Sequence, residues 1–307
     1  YEWGTFASHY KMTGLRWKEE ASPWRKGNIF FSFDQENVSG SVSGPNVGGT
    51  VGVAGMGGTA GTADVPLFQL TSLSMGVNHV FDLSDEWSLR PSFGVRTYSS
   101  NVYKNKSTPN LGATLSSAKL MLYANFNHGL LYPGSETYTL TRAMPFAFRA
   151  NNNWNNLSPT EDRHSEFGLK WNASSHTTID WSVFKDEITN RYIWTGFNMG
   201  ANGVWSNDFP TYRVLGSEAS LSHEINSLWS LFVGVTALNS SLSNLPYAPK
   251  KSFSLGLNGV ISEYRFSFDL NHQGSMYSMT QDRGSFNPNQ VEALTVANTR
   301  LSLPMPN

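Results

Sequence analysis

Along residues 264–271 the side chains alternate. Tyr264, Phe266, Phe268 and Leu270 are apolar, and Arg265, Ser267, Asp269 and Asn271 between them are polar. A period of two puts the first set on one face of a strand and the second on the other. The pattern recurs at Trp87, Leu89, Phe93 and Val95 against Ser88, Arg90, Ser92, Gly94 and Arg96, and at Phe253, Leu255 and Leu257 against Ser252, Ser254 and Asn258. Helical periodicity is almost absent, so the chain reads as all-β. Alternation bounded by Gly, Pro and Asn predicts about thirteen strands, over residues 5–18, 28–43, 66–83, 86–102, 110–116, 119–131, 164–173, 177–194, 212–223, 228–242, 252–261, 263–279 and 292–303. Several exceed about ten residues, long for a globular sheet and suited to a tilted strand crossing a bilayer.

Two kinds of connection take turns between these strands. Short ones fall at 84–85, 117–118, 174–176, 224–227 and 262, and long ones at 44–65, 103–109, 132–163, 196–211, 243–251 and 280–291. Short turns on one rim and long loops on the other are the layout of an outer-membrane barrel with its long loops outside. Residues 19–27 break the rule, since a short turn is due there and the segment is longer. Residues 44–63, rich in Gly, Val, Ala and Thr and free of charge, read as a mobile surface loop rather than a poorly specified hairpin.

Composition narrows the class. The 307 residues are 15% charged and 13% aromatic with a net charge of −1, unlike a disordered chain and without the basic field that nucleic-acid binding needs. The absence of cysteine removes disulfides and thiolate metal sites. No stretch approaches the roughly twenty apolar residues of a transmembrane helix. A membrane crossing would therefore use a closed barrel, which satisfies every backbone group in lipid. The chain starts at Tyr1 without a signal-peptide core, which suggests a processed chain or an internal fragment.

Catalytic chemistry finds no foothold. His9, His79, His128, His164, His176, His223 and His272 show no paired ligand spacing and read as isolated surface or rim residues, so no metal or cofactor is expected. Glu161, Asp162 and Glu166 read as a loop-end charge cluster rather than an acid/base pair. No nucleophile elbow or phosphate loop is present, and no enzymatic activity is expected. Trp17, Trp87, Trp171, Trp181, Tyr192, Trp194 and Trp229 fall near strand ends or on apolar faces, as interfacial girdle residues do. Arg90, Arg96, Glu166, Lys170, Asp180, Glu218, Arg265 and Asp269 fall on the polar face and would line a barrel interior.

One region is more specific. Asn156-Leu157-Ser158-Pro159-Thr160, then Ser165-Glu166-Phe167-Gly168-Leu169-Lys170-Trp171, then Phe184-Lys185-Asp186-Glu187-Ile188-Thr189-Asn190-Arg191 resembles a segment of TonB-dependent outer-membrane receptors. In that family it reads Asn-Leu-x-Pro-Glu, Glu-x-Gly-x-Lys and Phe-x-x-x-Ile-x-Asn; Thr160 stands where the family usually has Glu. Gly216-Ser217-Glu218 is similar to the family's Gly-x-Glu strand, and Leu245-Pro246-Tyr247-Ala248-Pro249 to its Pro-x-x-Pro loop. Leu122-Tyr123-Ala124-Asn125 and Tyr132-Pro133-Gly134 fall where the family has a strand entering a long loop. The resemblance spans residues 91–249.

What the resemblance implies is an antiparallel transmembrane β-barrel of twenty-two strands in the bacterial outer membrane, filled by an N-terminal plug. Residues 1–307 would be one part of that barrel, its middle and late strands, with the plug domain absent and both ends truncated. Its function would be TonB-energised import of a scarce nutrient such as a ferric siderophore or cobalamin. The implied partners are a small metal chelate, outer-membrane lipid, and TonB-ExbB-ExbD reached through the plug. Tyr132, Tyr138, Phe146, Arg149 and Trp154, in the longest loop, are the ligand-binding candidates, since aromatic rings and Arg suit planar anionic chelates. A soluble all-β carbohydrate-binding module and a passive porin remain the competing readings.

Overall fold

The computed structural model describes residues 7–45, 60–143, 153–194, 205–282 and 285–303. In chain order the strands are β1 (Ala7–Trp24), β2 (Gly27–Pro45), β3 (Ala60–His79), β4 (Phe81–Asp82), β5 (Ser88–Ser100), β6 (Lys106–Ser116), β7 (Leu120–Leu131), β8 (Thr160–Ser174), β9 (Thr177–Thr189), β10 (Ile193–Trp194), β11 (Trp205–Ser206), β12 (Tyr212–Asn226), β13 (Trp229–Ser240), β14 (Lys251–Ile261), β15 (Tyr264–Gln273), β16 (Met276–Asp282), β17 (Ser285–Val291) and β18 (Leu294–Ser302). One helix, α1 (Ser135–Ala143), and a 3-10 turn (Asn153–Asn156) interrupt the longest loop.

A 14-stranded sheet runs in the order β1-β2-β3-β5-β6-β7-β8-β9-β12-β13-β14-β15-β18, with β4 beside β5. Every pairing is antiparallel and follows the chain. The expected strands are thus present, with five corrections, the first being that the strand expected over 177–194 ends at Thr189 while Ile193–Trp194 pairs separately with Trp205–Ser206. β1 continues to Trp24, and an irregularity between Ala21 and Trp24 absorbs the extra residues of the awkward segment. The turn itself is only Arg25-Lys26, closed by a left-handed Lys26 (φ 65°). β2 and β3 stay paired as far as Pro45 and Ala60, so the described ends of the expected mobile loop form a hairpin; residues 46–59 lie outside the described set. The strand expected over 263–279 ends at Gln273. Met276–Asp282 instead pairs with Ser285–Val291 as a separate hairpin, where a plain loop was expected.

Register separates the two faces cleanly. Leu120, Trp171, Ile179, Leu221, Val233, Leu255, Leu270 and Ala297 lie opposite one another in a row crossing β7 to β18, every one apolar. The adjacent row, Met121, Lys170, Asp180, Ser220, Gly234, Ser254, Asn271 and Val296, shows the other face and is mainly polar. The apolar face is bare: Met75 is 51% exposed, Phe93 51% and Leu215 52%. A single-layer sheet with so much apolar surface uncovered requires a non-aqueous neighbour on that side. Trp17, Trp171, Trp181 and Trp229 stand on it, as girdle residues should.

Candidate functional site

Where the polar face meets the long loops, the fold gathers aromatic side chains. Alternation on β2 and β3 directs Val38 and Phe68, which oppose each other, to the polar face. Phe68, Val65, Tyr103, Tyr138, Leu157 and Trp205 form a buried cluster there, with Val38, Val102, Tyr132, Trp154 and Tyr192 packed around it. α1 supplies the lid of this cluster, with Glu136 in its first turn, where a carboxylate suits the helix dipole. Its residues are tied to the sheet and loops by hydroxyl contacts. Tyr10 and Thr139 share a hydrogen bond of 2.6 Å, and Tyr103 and Thr137 one of 3.3 Å. The Tyr138 hydroxyl donates to the Asp64 carbonyl (2.8 Å). Trp205 Nε1 donates to Thr141 Oγ1 (3.2 Å).

Three of the five ligand candidates fall inside this cluster. Tyr138 is 8% exposed and meets Trp154 edge-on, with ring centroids 5.1 Å apart; Trp154 also lies 5.6 Å from Phe68. Tyr132 donates its hydroxyl to the Lys104 carbonyl (2.9 Å) and packs 5.7 Å from Tyr98. Phe146 and Arg149 lie outside the described residues. Loss of water raises the phenol pKa of Tyr103, Tyr132 and Tyr192 to about 12, so all three stay neutral at physiological pH. Tyr192, expected at the membrane interface, instead packs 6.3 Å from Trp205 in this cluster, because the chain leaves β9 at Thr189 and turns through a left-handed Asn190 (φ 54°). Phe68, Tyr98, Tyr103 and Trp205 were not singled out from sequence. Phe68 had a readable signal, an aromatic on the polar phase of its strand, but Trp205 sits in a loop with no period to interpret.

Below the cluster, the polar face is a wall of paired charge. Arg90, Arg96, Glu166, Lys170, Asp180, Glu218, Arg265 and Asp269 all lie on it, as expected. Arg96 donates to Ser72 Oγ (2.7 Å) and reaches Asp34 (3.4 Å), which also takes Arg16. His164 pairs with Asp186 and lies 3.6 Å from Glu166, whose carboxylate accepts from Tyr123 (3.1 Å). At the loop end of β8, on the opposite face by register, Glu161 holds Lys106 and His128. Among the described residues, no three His, Asp or Glu side chains are grouped to hold a metal ion. The arrangement offers a hydrated, charge-lined surface with an aromatic rim at its mouth.

Residues 8–306 match the family described as "TonB dependent receptor-like, beta-barrel". No curated protein matches the chain. Among solved structures, the ferric-catecholate import receptor Fiu from E. coli K12 aligns with TM-score 0.63 at 16% identity, over 95% of this chain and 48% of its own. The ferripyoverdine receptor of the outer membrane of Pseudomonas aeruginosa aligns with TM-score 0.66 at 14% identity, over 96% and 43%. The copper transporter OprC gives TM-score 0.69 at 12% identity, over 96% and 49%. The chain thus spans about half the length of the structures it matches. At these identities the likeness is one of fold: a long-stranded, antiparallel outer-membrane barrel wall.

Proposed function

Because this chain belongs to the TonB-dependent receptor-like β-barrel family, we propose that residues 1–307 are one continuous part of the wall of an import receptor in the bacterial outer membrane. The solute is a scarce nutrient, with a ferric siderophore or cobalamin the leading classes, and transport is energised by TonB-ExbB-ExbD acting through a plug inside the barrel. The observation that carries this reading is the division of one sheet into an uncovered apolar face and a charged face capped at the long-loop rim by α1 and its aromatic cluster. Lipid covers the first face, and the second lines a wet lumen.

Within that reading, the loop between β7 and β8 carries the ligand contacts. Tyr132 and Trp154 are only partly buried and keep ring surface available, whereas Tyr138 acts by holding α1 in place. Phe146 and Arg149 complete the proposed set, with Arg149 supplying charge for an anionic chelate. Uptake of labelled ferric siderophores and of cobalamin by cells expressing the full-length protein, with and without TonB, tests the proposal. Accumulation of at least one of them that stops when TonB is deleted is the expected result. Passive entry of small solutes at equal rates in both strains would identify a porin instead. Replacing Trp154 and Arg149 by Ala should weaken ligand binding by roughly tenfold or more, as loss of an interface anchor does, while outer-membrane assembly stays intact. Unchanged affinity would remove both from the site.

A further inference from the structure

On the outward face, the apolar band ends toward the long loops in a row of charge. His128, Arg163, Glu187 and Arg213 oppose one another across β7, β8, β9 and β12. Lys185 lies on the same face of β9, one step closer to the band, between Ser165 and Leu215. The Glu187 carboxylate serves both arginines: Arg213 Nε is 2.7 Å from Oε2, and Arg163 Nη1 is 4.0 Å from Oε1. It is the shielded member, with 21% side-chain exposure against 51% for Arg163 and 61% for Arg213. Outward positions near the long-loop ends of other strands are mostly uncharged, as at Asn37, Thr97, Ser107, Asn239 and Thr295, with Lys11 and Lys251 standing apart.

Three cations thus surround the Glu187 carboxylate, and the next carboxylate along this face, Glu161, is taken by Lys106 and His128. Each guanidinium has five N–H donors, and Glu187 occupies only part of that capacity while fixing where both groups point. Arg163 and Arg213 each stand diagonally from Lys185, at a separation of about 7–8 Å that long side chains span readily. Cations at the margin of an apolar band lie at headgroup level, where they attract the charge of anionic lipids. We infer that Arg163, Lys185 and Arg213 bind the phosphate of an outer-leaflet lipid. This rests on the reading of the apolar face as lipid-facing.

The test uses the full-length protein in detergent and native mass spectrometry with bisphosphorylated lipid A, against the same glycolipid stripped of phosphate. The wild-type protein should retain the phosphorylated form preferentially. The triple variant R163Q/K185Q/R213Q should lose about five-fold in that preference for each charge removed. Equal retention of both glycolipids by the wild-type protein, or an undiminished preference in a folded triple variant, would overturn the inference. Heat-modifiable electrophoretic mobility and fractionation with the outer membrane report the barrel separately. A protein failing both contradicts the membrane reading, whereas a folded, inserted protein without preference contradicts only the lipid site. If the triple variant does not fold, the wild-type comparison of the two glycolipids still decides.

Discussion

A phenol gives up its proton less readily where water cannot stabilise the anion, and burial at the loop cluster holds Tyr103, Tyr132 and Tyr192 at about 12. Their ordinary value near 10 applies once the loops come apart. Folded pKa values raised in this way mean that the stabilising contribution is complete below about pH 10 and is lost as pH climbs from there through about 12. Tyrosinate absorbance of the full-length protein should therefore show a late-titrating group of phenols, and their ionisation should coincide with protease sensitivity in the loop between β7 and β8. Titration of every tyrosine near pH 10 would mean that the cluster is open to water. Tyr138→Phe removes the donor to the Asp64 carbonyl at a cost of about 1 kcal/mol. Amide exchange in α1 should speed up several-fold, with no change in the sheet.

At the scale of the element, several inward-facing aromatics break the polar alternation, and in each case a glycine stands opposite. Phe30 pairs with Gly76, Tyr123 with Gly168, Phe184 with Gly216 and Phe232 with Gly256. In the first three pairs a Cβ on the glycine would collide with the ring, so the ring lies against bare backbone. Gly168→Val and Gly216→Val should each cost about 1–3 kcal/mol, as overpacking does, and lower the temperature at which the barrel loses its compact electrophoretic form. Unaltered melting would show that the rings can turn aside freely. These pairs also mark the limit of what the sequence reveals. Alternation is local, so Phe266 and Phe268 announce their face without help, whereas Phe30 makes sense only beside Gly76, some forty-six residues on. Separation in sequence likewise hid α1's seat on β2 and β3, whereas the partnership of Tyr192 with Trp205 was hidden because Trp205 lies in a segment with no period. The hairpin of β16 and β17 was missed because Asn287, Pro288 and Asn289, within β17, read as loop residues.

For the molecule as a whole, the sheet is one layer thick, and its largest buried cluster among the described residues lies at a rim rather than between layers. Bilayer insertion must then supply what a core supplies elsewhere. Single-tryptophan variants of the full-length protein in brominated lipid should show quenching at Trp171, Trp181 and Trp229, which stand on the apolar face. Trp205, 8% exposed within the loop cluster, should escape it. The reverse order would place lipid on the wrong side of the sheet.

The glycine-seated rings carry a mechanical consequence. Where a wall's larger side chains lie down instead of standing up, its relief is low, and a body sliding along it meets few teeth to climb over. Contacts to Ser, Asn and carboxylate groups on such a surface can be exchanged one at a time, each for another of similar strength. In the proposed receptor, friction along the bore would thereby be kept small without widening it, and a modest pull would shift the plug while the wall itself stays rigid.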